Sequence, residues 1–507
     1  MLARALSAAP WGIDARAIHI EVDLRLGLPQ MQLVGLPDAA VRESRERVRS
    51  AVKNCGFDLP PRSVIINLAP ADVKKEGNHL DLAIALALLV AHGHLPEYSL
   101  IGKLVCGELG LSGTLRPIRG SLAIADLARR LGAQQVILPA ANAAEAAALG
   151  VVPVFGAEGL AETVRHLLGT EPLPPEPGVP PPTDLDTSVP DLAEVRGQES
   201  AKRALEIAAA GGHNLLLIGP PGSGKTMLAR RMPGLLPTLA TDEAIEVTKV
   251  HSLVADRPHQ GLVQTRPFRS PHPSTSTAGM VGGGSIPRPG EATLAHAGVL
   301  FLDEFPEFRR DSLEALRQPL EEGTITIVRA KARISFPARF TLLAAMNPCP
   351  CGHLGDPRHE CECSAAAVQR YRQKVSGPLL DRIDLHVEVP AVSLQDLKGK
   401  SGESTQSVGA RVAAARDLQR ERWGFANTHT WNAAMSPDQV RETCQLEASA
   451  QQLLDKAFEK LGLSARAVHR VLKVSRTLAD LSGSQRIQTS HVAEAIQYRS
   501  LDRRLEG

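Results

Sequence analysis

The sequence predicts a multidomain α/β protein with a parallel sheet in its second half and a helical C-terminal end. Three observations carry that prediction. TEPLPPEPGVPPPTDLD at 170–186 is too rich in proline to enter a helix or a central strand, so it divides the chain. Beyond it, HNLLLIGPPGSGKTMLARRM reads as strand, glycine loop and helix, while GVLFLDEF and FTLLAAMNP read as two more buried strands. Continuous apolar strands between helices belong to a parallel sheet covered on both faces. Roughly the last 70 residues follow a helical period, with starts near Ser436 and Thr489.

Bulk composition narrows the classes. A length of 507 residues implies about two or three domains. The net charge of +2 requires any nucleic-acid surface to be a local patch. Aromatics at 3% argue against a broad base-stacking surface. LDLAIALALLVAHG (80–93) is too short to span a bilayer and reads as a core helix. MLARALSAAPWGID resembles a signal peptide only weakly, because its apolar run is short and strands follow at once. The expected setting is therefore cytoplasmic, with no membrane partner and reduced thiols.

Before the proline stretch the pattern is mixed α and β. AIHIEVDLRL (17–26) alternates like a half-buried strand, and Asp38 is placed to cap a charged helix running to about Asn54. SVIINLA (63–69), GAQQVILP and VVPVF are further strands. From about 395 to 435 the pattern is polar and irregular.

GPPGSGKT, residues Gly219, Pro220, Pro221, Gly222, Ser223, Gly224, Lys225 and Thr226, fits a phosphate-binding loop between strand and helix. Glycines let the backbone curl so that its N–H groups converge on phosphate, and the helix N-terminus adds partial positive charge. Lys225 reaches the outer phosphates of ATP, and Thr226 holds Mg²⁺. VLFLDEF ends in Asp303, a support for the same metal, and Glu304, a base for the attacking water. Asn347 closes LLAAMN and could bridge that water and the γ-phosphate. Arg382, in GPLLDRIDLHVEV, admits two readings. It could reach a neighbouring subunit's nucleotide, or belong to a local Asp381–Arg382–Asp384 ion-pair cluster.

Together these residues resemble the AAA+ ATPases, in the branch of the magnesium-chelatase ATPase subunit and the replicative MCM helicases. RPFRSPHPSTSTAGMVGGGSIPRPGEATLAHAGVLFLDEFPEF (266–308) and SARAVHRVLKVSRTLADL (464–481) are similar to the bacterial magnesium-chelatase-like family of competence protein ComM and YifB. The resemblance implies that Lys225 and Thr226 are Walker A, Asp303 and Glu304 Walker B, and Asn347 sensor 1. It makes Arg382 a finger acting in trans and Arg466 the sensor-2 arginine of a helical lid. It also implies a homohexameric ring that drives branch migration of recombination intermediates as a DNA helicase during natural transformation. The expected partners are single-stranded and branched DNA and recombination proteins. A second reading is a chelatase-type ATPase that remodels a protein partner.

The N-terminal unit resembles the Lon-protease domain, with a departure. In KKEGNHLDLAIALAL (74–88) His79 stands at the nucleophilic serine's place, and LRPIRGSLAIADLARRLG (115–132) lacks the partner lysine. Without a hydroxyl nucleophile and its base, acyl transfer has no route, which argues against a third reading as an ATP-regulated protease. The expected organisation is a noncatalytic Lon-like α+β domain at 1–170 and a linker at 171–186. An AAA+ domain at 187–395, a connecting segment at 396–435 and a helical lid at 436–507 follow.

EEGTITIVRAKARISFPARFTLLAAMNP (321–348) reads as a hairpin before the Asn347 strand. Arg329, Lys331 and Arg333 would lie on one side of a continuous strand, or cluster at a tip. Six copies facing a ring pore would form a positive collar for DNA. Alternatively the charges only blunt an exposed edge. Arg269 and Arg288, in the glycine-rich insert, are further DNA candidates.

MNPCPCGHLGDPRHECEC places Cys349, Cys351, Cys361 and Cys363 in two Cys-x-Cys pairs. Four thiolates complete a tetrahedral Zn²⁺ shell with no open position, which is a structural site. His353 or His359 could replace one sulfur; a redox-active loop and unbound thiols are the alternatives.

Overall fold

The computed structural model describes residues 2–71, 75, 77–150, 152–178, 189–254, 262–284, 288–329, 332–392, 402–424, 431–461 and 464–499. It divides into two compact units, Met1–Thr183 with Ala244–Val263, and Asp184–Glu243 with Gln264–Gly507. Residues 179–186 of the proline stretch, Lys331, and 396–401 and 425–430 of the connecting segment lie outside the described residues.

In the first unit β1 (Leu2–Trp11) and β2 (Asp14–Arg25) pair antiparallel, Leu2 opposite Asp23. The alternation at 17–26 emerges as buried Ile18, Ile20 and Val22. β1 buries Ala3, Ala5 and Ala8, small residues that carry little strand signal in a sequence. β3 (Gln30–Val34), β4 (Ser63–Ala69), β5 (Lys103–Val105), β6 (Glu108–Leu109), β7 (Leu115–Arg116), β8 (Gln135–Pro139) and β9 (Val154–Ala157) follow. Seven of these strands form one mixed sheet, ordered β3-β4-β2-β1-β5-β8-β9, and β6 pairs with β7.

Asp38 caps the helix Ala39–Asn54, its Oδ1 accepting from the Val41 N–H at 2.7 Å. The helix Asp81–Ala91 is buried at every position, as expected for a helix apolar on all faces. Its one acid, Asp81, pairs with Arg47 at 2.9 and 3.2 Å. His79, just before that helix, is buried; desolvation pushes its imidazole down to about 4 against the pull of Asp38. It is therefore neutral near pH 7 and, with no hydroxyl at this position, offers no activated serine.

In the second unit β10 (Leu215–Ile218), β11 (Phe268–Arg269), β12 (Val299–Leu302), β15 (Thr341–Met346) and β16 (Leu385–Glu388) form a sheet ordered β11-β12-β15-β10-β16. Every pairing in it is parallel, as the apolar strand pattern predicts. β13 (Thr324–Arg329) and β14 (Ala332–Pro337) make the expected separate hairpin. The C-terminal residues are helical, with Ser436 capping Pro437–Thr443 and a last described helix at Thr489–Gln497.

One region differs from the sequence reading. The segment read as irregular contains the 19-residue helix Thr405–Trp423. Its buried face carries Arg416 and Gln419 beside Val408 and Val412, which hides the amphipathic signal. Both polar groups are used: Arg416 Nε donates to Ala209 O at 2.8 Å and Gln419 Nε2 to Ala210 O at 3.0 Å. These contacts satisfy carbonyls near the end of the helix Glu199–Gly211.

Candidate nucleotide site

The sheet order places β15 between β10 and β12. The residues following the carboxyl ends of these neighbouring parallel strands therefore converge: the glycine loop after β10, Asp303–Glu304 after β12 and Asn347 after β15. Gly222 and Gly224 take left-handed backbones, φ 73° and 91°, and Gly219 lies so close to the chain that a Cβ would sit 2.0 Å from Val389 O. Lys225 Nζ donates to Gly219 O at 2.7 Å, Pro220 O at 2.9 Å and Asn347 Oδ1 at 3.3 Å. Burial pushes its ammonium pKa down, and Asp303 opposes that shift. Held by neutral carbonyls, the ammonium is available for a stronger anionic partner.

Thr226 Oγ1 donates to Asp303 Oδ2 at 2.6 Å. Adjacent ligands of an octahedral magnesium with bonds of about 2.05 Å lie about 2.9 Å apart, so this hydroxyl–carboxylate pair fits the ion. Glu304 has a left-handed backbone, φ 51°, and is exposed beside them. A non-glycine residue in that region is strained, and such strain concentrates at functional sites.

Arg382 and Arg466 are elsewhere in the unit. β16 runs parallel to β10 with Leu385 opposite Leu215, so Arg382 precedes the amino end of the sheet while the glycine loop follows its carboxyl end. A four-residue strand separates those ends by about 13 Å. A cavity of about 680 Å³ opens at the amino end, bounded by residues that precede four strands: Asn214, Gly298, Phe340 and Asp384. Arg382, Arg466, Arg470 and Lys473 line the same cavity.

Arg382 is buried and pairs with Glu321, also donating to Pro378 O. The local cluster with its two sequence-adjacent aspartates does not form. Asp384 instead meets Arg470 at 2.7 Å and His213 at 3.3 Å. Burial would raise its carboxyl pKa, but Arg470 and His213 hold it well below the usual range. Arg466 is exposed.

The four cysteine sulfurs at 349, 351, 361 and 363 lie within 4.8 Å of one another. Three separations are 3.4, 3.7 and 3.7 Å, whereas a disulfide needs about 2.05 Å. A tetrahedron of sulfurs 2.3 Å from zinc has edges of about 3.8 Å, so the set fits Zn²⁺. Among the described residues no histidine joins the group; His353 Nδ1 lies 3.6 Å from Asp356 Oδ2.

At the hairpin tip, the backbone at Arg329 pairs with Ala332 and that at Arg333 with Val328. The two arginines therefore lie on the two opposite strands of the hairpin instead of following one continuous strand. Arg269 is engaged by Glu291 at 2.7 and 2.8 Å, whereas Arg288 is exposed. Sequence reading missed Tyr371 and Lys374, which line a cleft with Glu304 and Asn347. Their one signal was position, just downstream of the cysteine loop.

Three family models match the chain. Residues 191–397 fit magnesium chelatase, subunit ChlI, residues 20–142 fit the subunit ChlI of Mg-chelatase, and residues 402–499 fit the ChlI C-terminal region. Competence protein ComM of Haemophilus influenzae is 45% identical over 511 residues, covering 100% of this chain and 99% of that protein. The uncharacterized protein YifB of Escherichia coli is 45% identical over 502 residues, covering 98% and 97%. The maternal DNA replication licensing factor mcm6 of Xenopus tropicalis is 26% identical over 224 residues, 41% of this chain and 25% of that one. Among the described residues no helix is long and apolar enough to cross a membrane. With its parallel sheet, glycine loop and helical end, the chain belongs to the magnesium-chelatase-like ComM/YifB family of AAA+ ATPases.

Proposed function

We propose that this protein is an ATP-driven, ring-shaped DNA motor of the cytoplasm. It acts as a helicase that drives branch migration of recombination intermediates during natural transformation. One observation carries the ring: the nucleotide-handling residues are divided between the two ends of one sheet. Lys225, Thr226, Asp303 and Asn347 gather at the carboxyl end, Arg382 and Arg466 at the amino end. Head-to-tail association, closed as a homohexamer, would bring one subunit's amino end to its neighbour's nucleotide.

In this reading the loop N–H groups and Lys225 bind the phosphates of ATP, and Thr226 and Asp303 hold magnesium. Glu304 takes the proton of the attacking water, which Asn347 orients. Arg382, acting in trans with Arg466, neutralises charge developing on the transferred phosphoryl group. Movement is passed to DNA by a collar of Arg329, Lys331 and Arg333 from each hairpin, with Arg269 and Arg288 of the insert as lesser contacts. The names of two relatives, a competence protein and a DNA replication licensing factor, support DNA as the partner. Recombination proteins are the expected company. Zinc in the cysteine loop is structural, and reduced thiols suit the cytoplasm. The N-terminal unit is a noncatalytic Lon-like domain, since position 79 is histidine.

The chelatase family models favour a second reading, remodelling of a protein partner. Strand displacement on a three-way DNA junction separates the two. With ATP and Mg²⁺ the motor releases the labelled strand, and a Lys225→Ala chain does not. Good ATP hydrolysis without displacement moves the assignment to protein remodelling.

A further inference from the structure

The amino end of the parallel sheet carries a buried polar tie that the proposed reaction does not use. Asp384 is 5% exposed and directly precedes β16. Its backbone is fixed to the sheet: the Asp384 and Leu385 N–H groups both donate to Asn214 O at 3.1 Å. Asn214, the residue before β10, also uses its side chain. Nδ2 donates to Arg382 O at 2.9 Å, and Oδ1 accepts from the Leu342 N–H of β15 at 2.8 Å. The segment bearing Arg382 is thereby pinned to the starts of two strands.

The Asp384 carboxylate joins that segment to the helix Ala465–Leu481. Oδ1 accepts from Arg470 Nη1 at 2.7 Å. Oδ2 accepts from the Asn214 N–H at 3.2 Å and lies 3.3 Å from His213 Nδ1. His213 Nε2 in turn lies 2.8 Å from Thr477 Oγ1, on the same helix as Arg470. Arg466 stands four residues before Arg470, so the two share one helix face a turn apart. Asn214, Arg382, Asp384, Arg466 and Arg470 all line the one cavity.

An apolar pair of similar volume would hold the helix as firmly, so a buried ion pair is weak evidence for stability alone. What this one adds is direction. Both carboxylate oxygens are engaged, which sets Arg470 and the turn before it against the Arg382 segment. We infer that Asp384 is a positioning residue for ATP hydrolysis in the ring: through Arg470 it aligns Arg466 with Arg382, so that both cations meet the neighbouring subunit's nucleotide together. The inference rests on the proposed site shared between subunits.

The test is Asp384→Asn in the full chain, which keeps the side chain's size and removes its charge. Steady-state hydrolysis should fall about 10-fold, the scale of one hydrogen bond to a charged group. A fluorescent ATP analogue titrated into the dissociated variant should show affinity within about 2-fold of the unsubstituted chain, because the carboxyl end is untouched. Mixed in equal amounts with Glu304→Gln, the variant should recover about a quarter of full activity, from interfaces with both halves intact. Mixed with Arg382→Ala it should show no gain over the average of the two alone, because both defects lie at one end. A merely structural role would harm both ends and give no gain with either partner. Should Asp384→Asn fail to fold, Arg470→Met cuts the same tie from its half-buried partner and enters the same mixtures.

Hydrolysis above about half that of the unsubstituted chain, loss of ATP binding, or a gain with Arg382→Ala overturns the inference. So does no gain with Glu304→Gln when Arg382→Ala does gain with it, and the shared site then stands. If ring-forming Arg382→Ala and Glu304→Gln chains do not rescue each other, the shared site and this inference fall together.

Discussion

The two ends of the parallel sheet in the second unit are built on different plans. At the carboxyl end, contacts are short: Lys225 meets carbonyls of its own loop, and Thr226 meets Asp303 across the intervening β15. At the amino end, seven lysine and arginine side chains, Arg382, Arg466, Arg470 and Lys473 among them, line a cavity of about 680 Å³. One of them, Arg382, is matched by Glu321 from a different element. The first end has the donors to bind a nucleotide by itself. The second has positive charge to spare and no phosphate loop beside it. In the proposed ring, binding would be a property of one chain and hydrolysis would belong to two.

The largest expected effect comes from cutting the second end alone. Arg382→Ala should lower ATP hydrolysis about a thousandfold, the scale of a lost arginine finger. Equilibrium titration of the dissociated chain should show ATP affinity within about 2-fold of the unsubstituted chain, because no neighbour is present to lose. Lys225→Ala should instead abolish that binding, and loss of binding in both variants would erase the contrast between the ends.

A smaller effect follows from the cysteine loop, which runs against the phosphate loop of the first end. Protein purified without chelator should carry about one zinc per chain, and less than half an equivalent would count against the site. Cys361→Ser should lower zinc content, lower the thermal midpoint by about 5 °C and cut hydrolysis about tenfold. Full activity in a zinc-free chain would detach the loop from the site.

The smallest effect concerns DNA. Lys331→Glu should reduce DNA stimulation of hydrolysis severalfold and flatten the salt dependence of DNA binding by about one or two phosphate contacts per site. Unchanged stimulation would remove this hairpin from the DNA path.

How far the sequence could be read follows the same division. The glycine loop, Asp303–Glu304, the cysteine pairs and the hairpin are short motifs whose chemistry is written in adjacent residues, and each was legible before any fold. The parallel sheet was legible because β10, β12 and β15 are apolar throughout. What escaped was set by tertiary contact. Arg382 finds Glu321, 61 residues earlier, in place of its neighbouring aspartates. The helix Thr405–Trp423 was hidden by a buried arginine and glutamine whose partners lie in another helix. Tyr371 is a lone aromatic in a polar helix, and only the fold brings it into one cleft with Asn347.

Mixing two inactive chains tests the division most directly. Glu304→Gln damages only the first end and Arg382→Ala only the second, so equal amounts would give about a quarter of ring interfaces with both working halves. The account predicts that the mixture hydrolyses ATP although neither variant does alone. A mixture that forms rings and remains as inactive as its components would contradict a site shared between subunits.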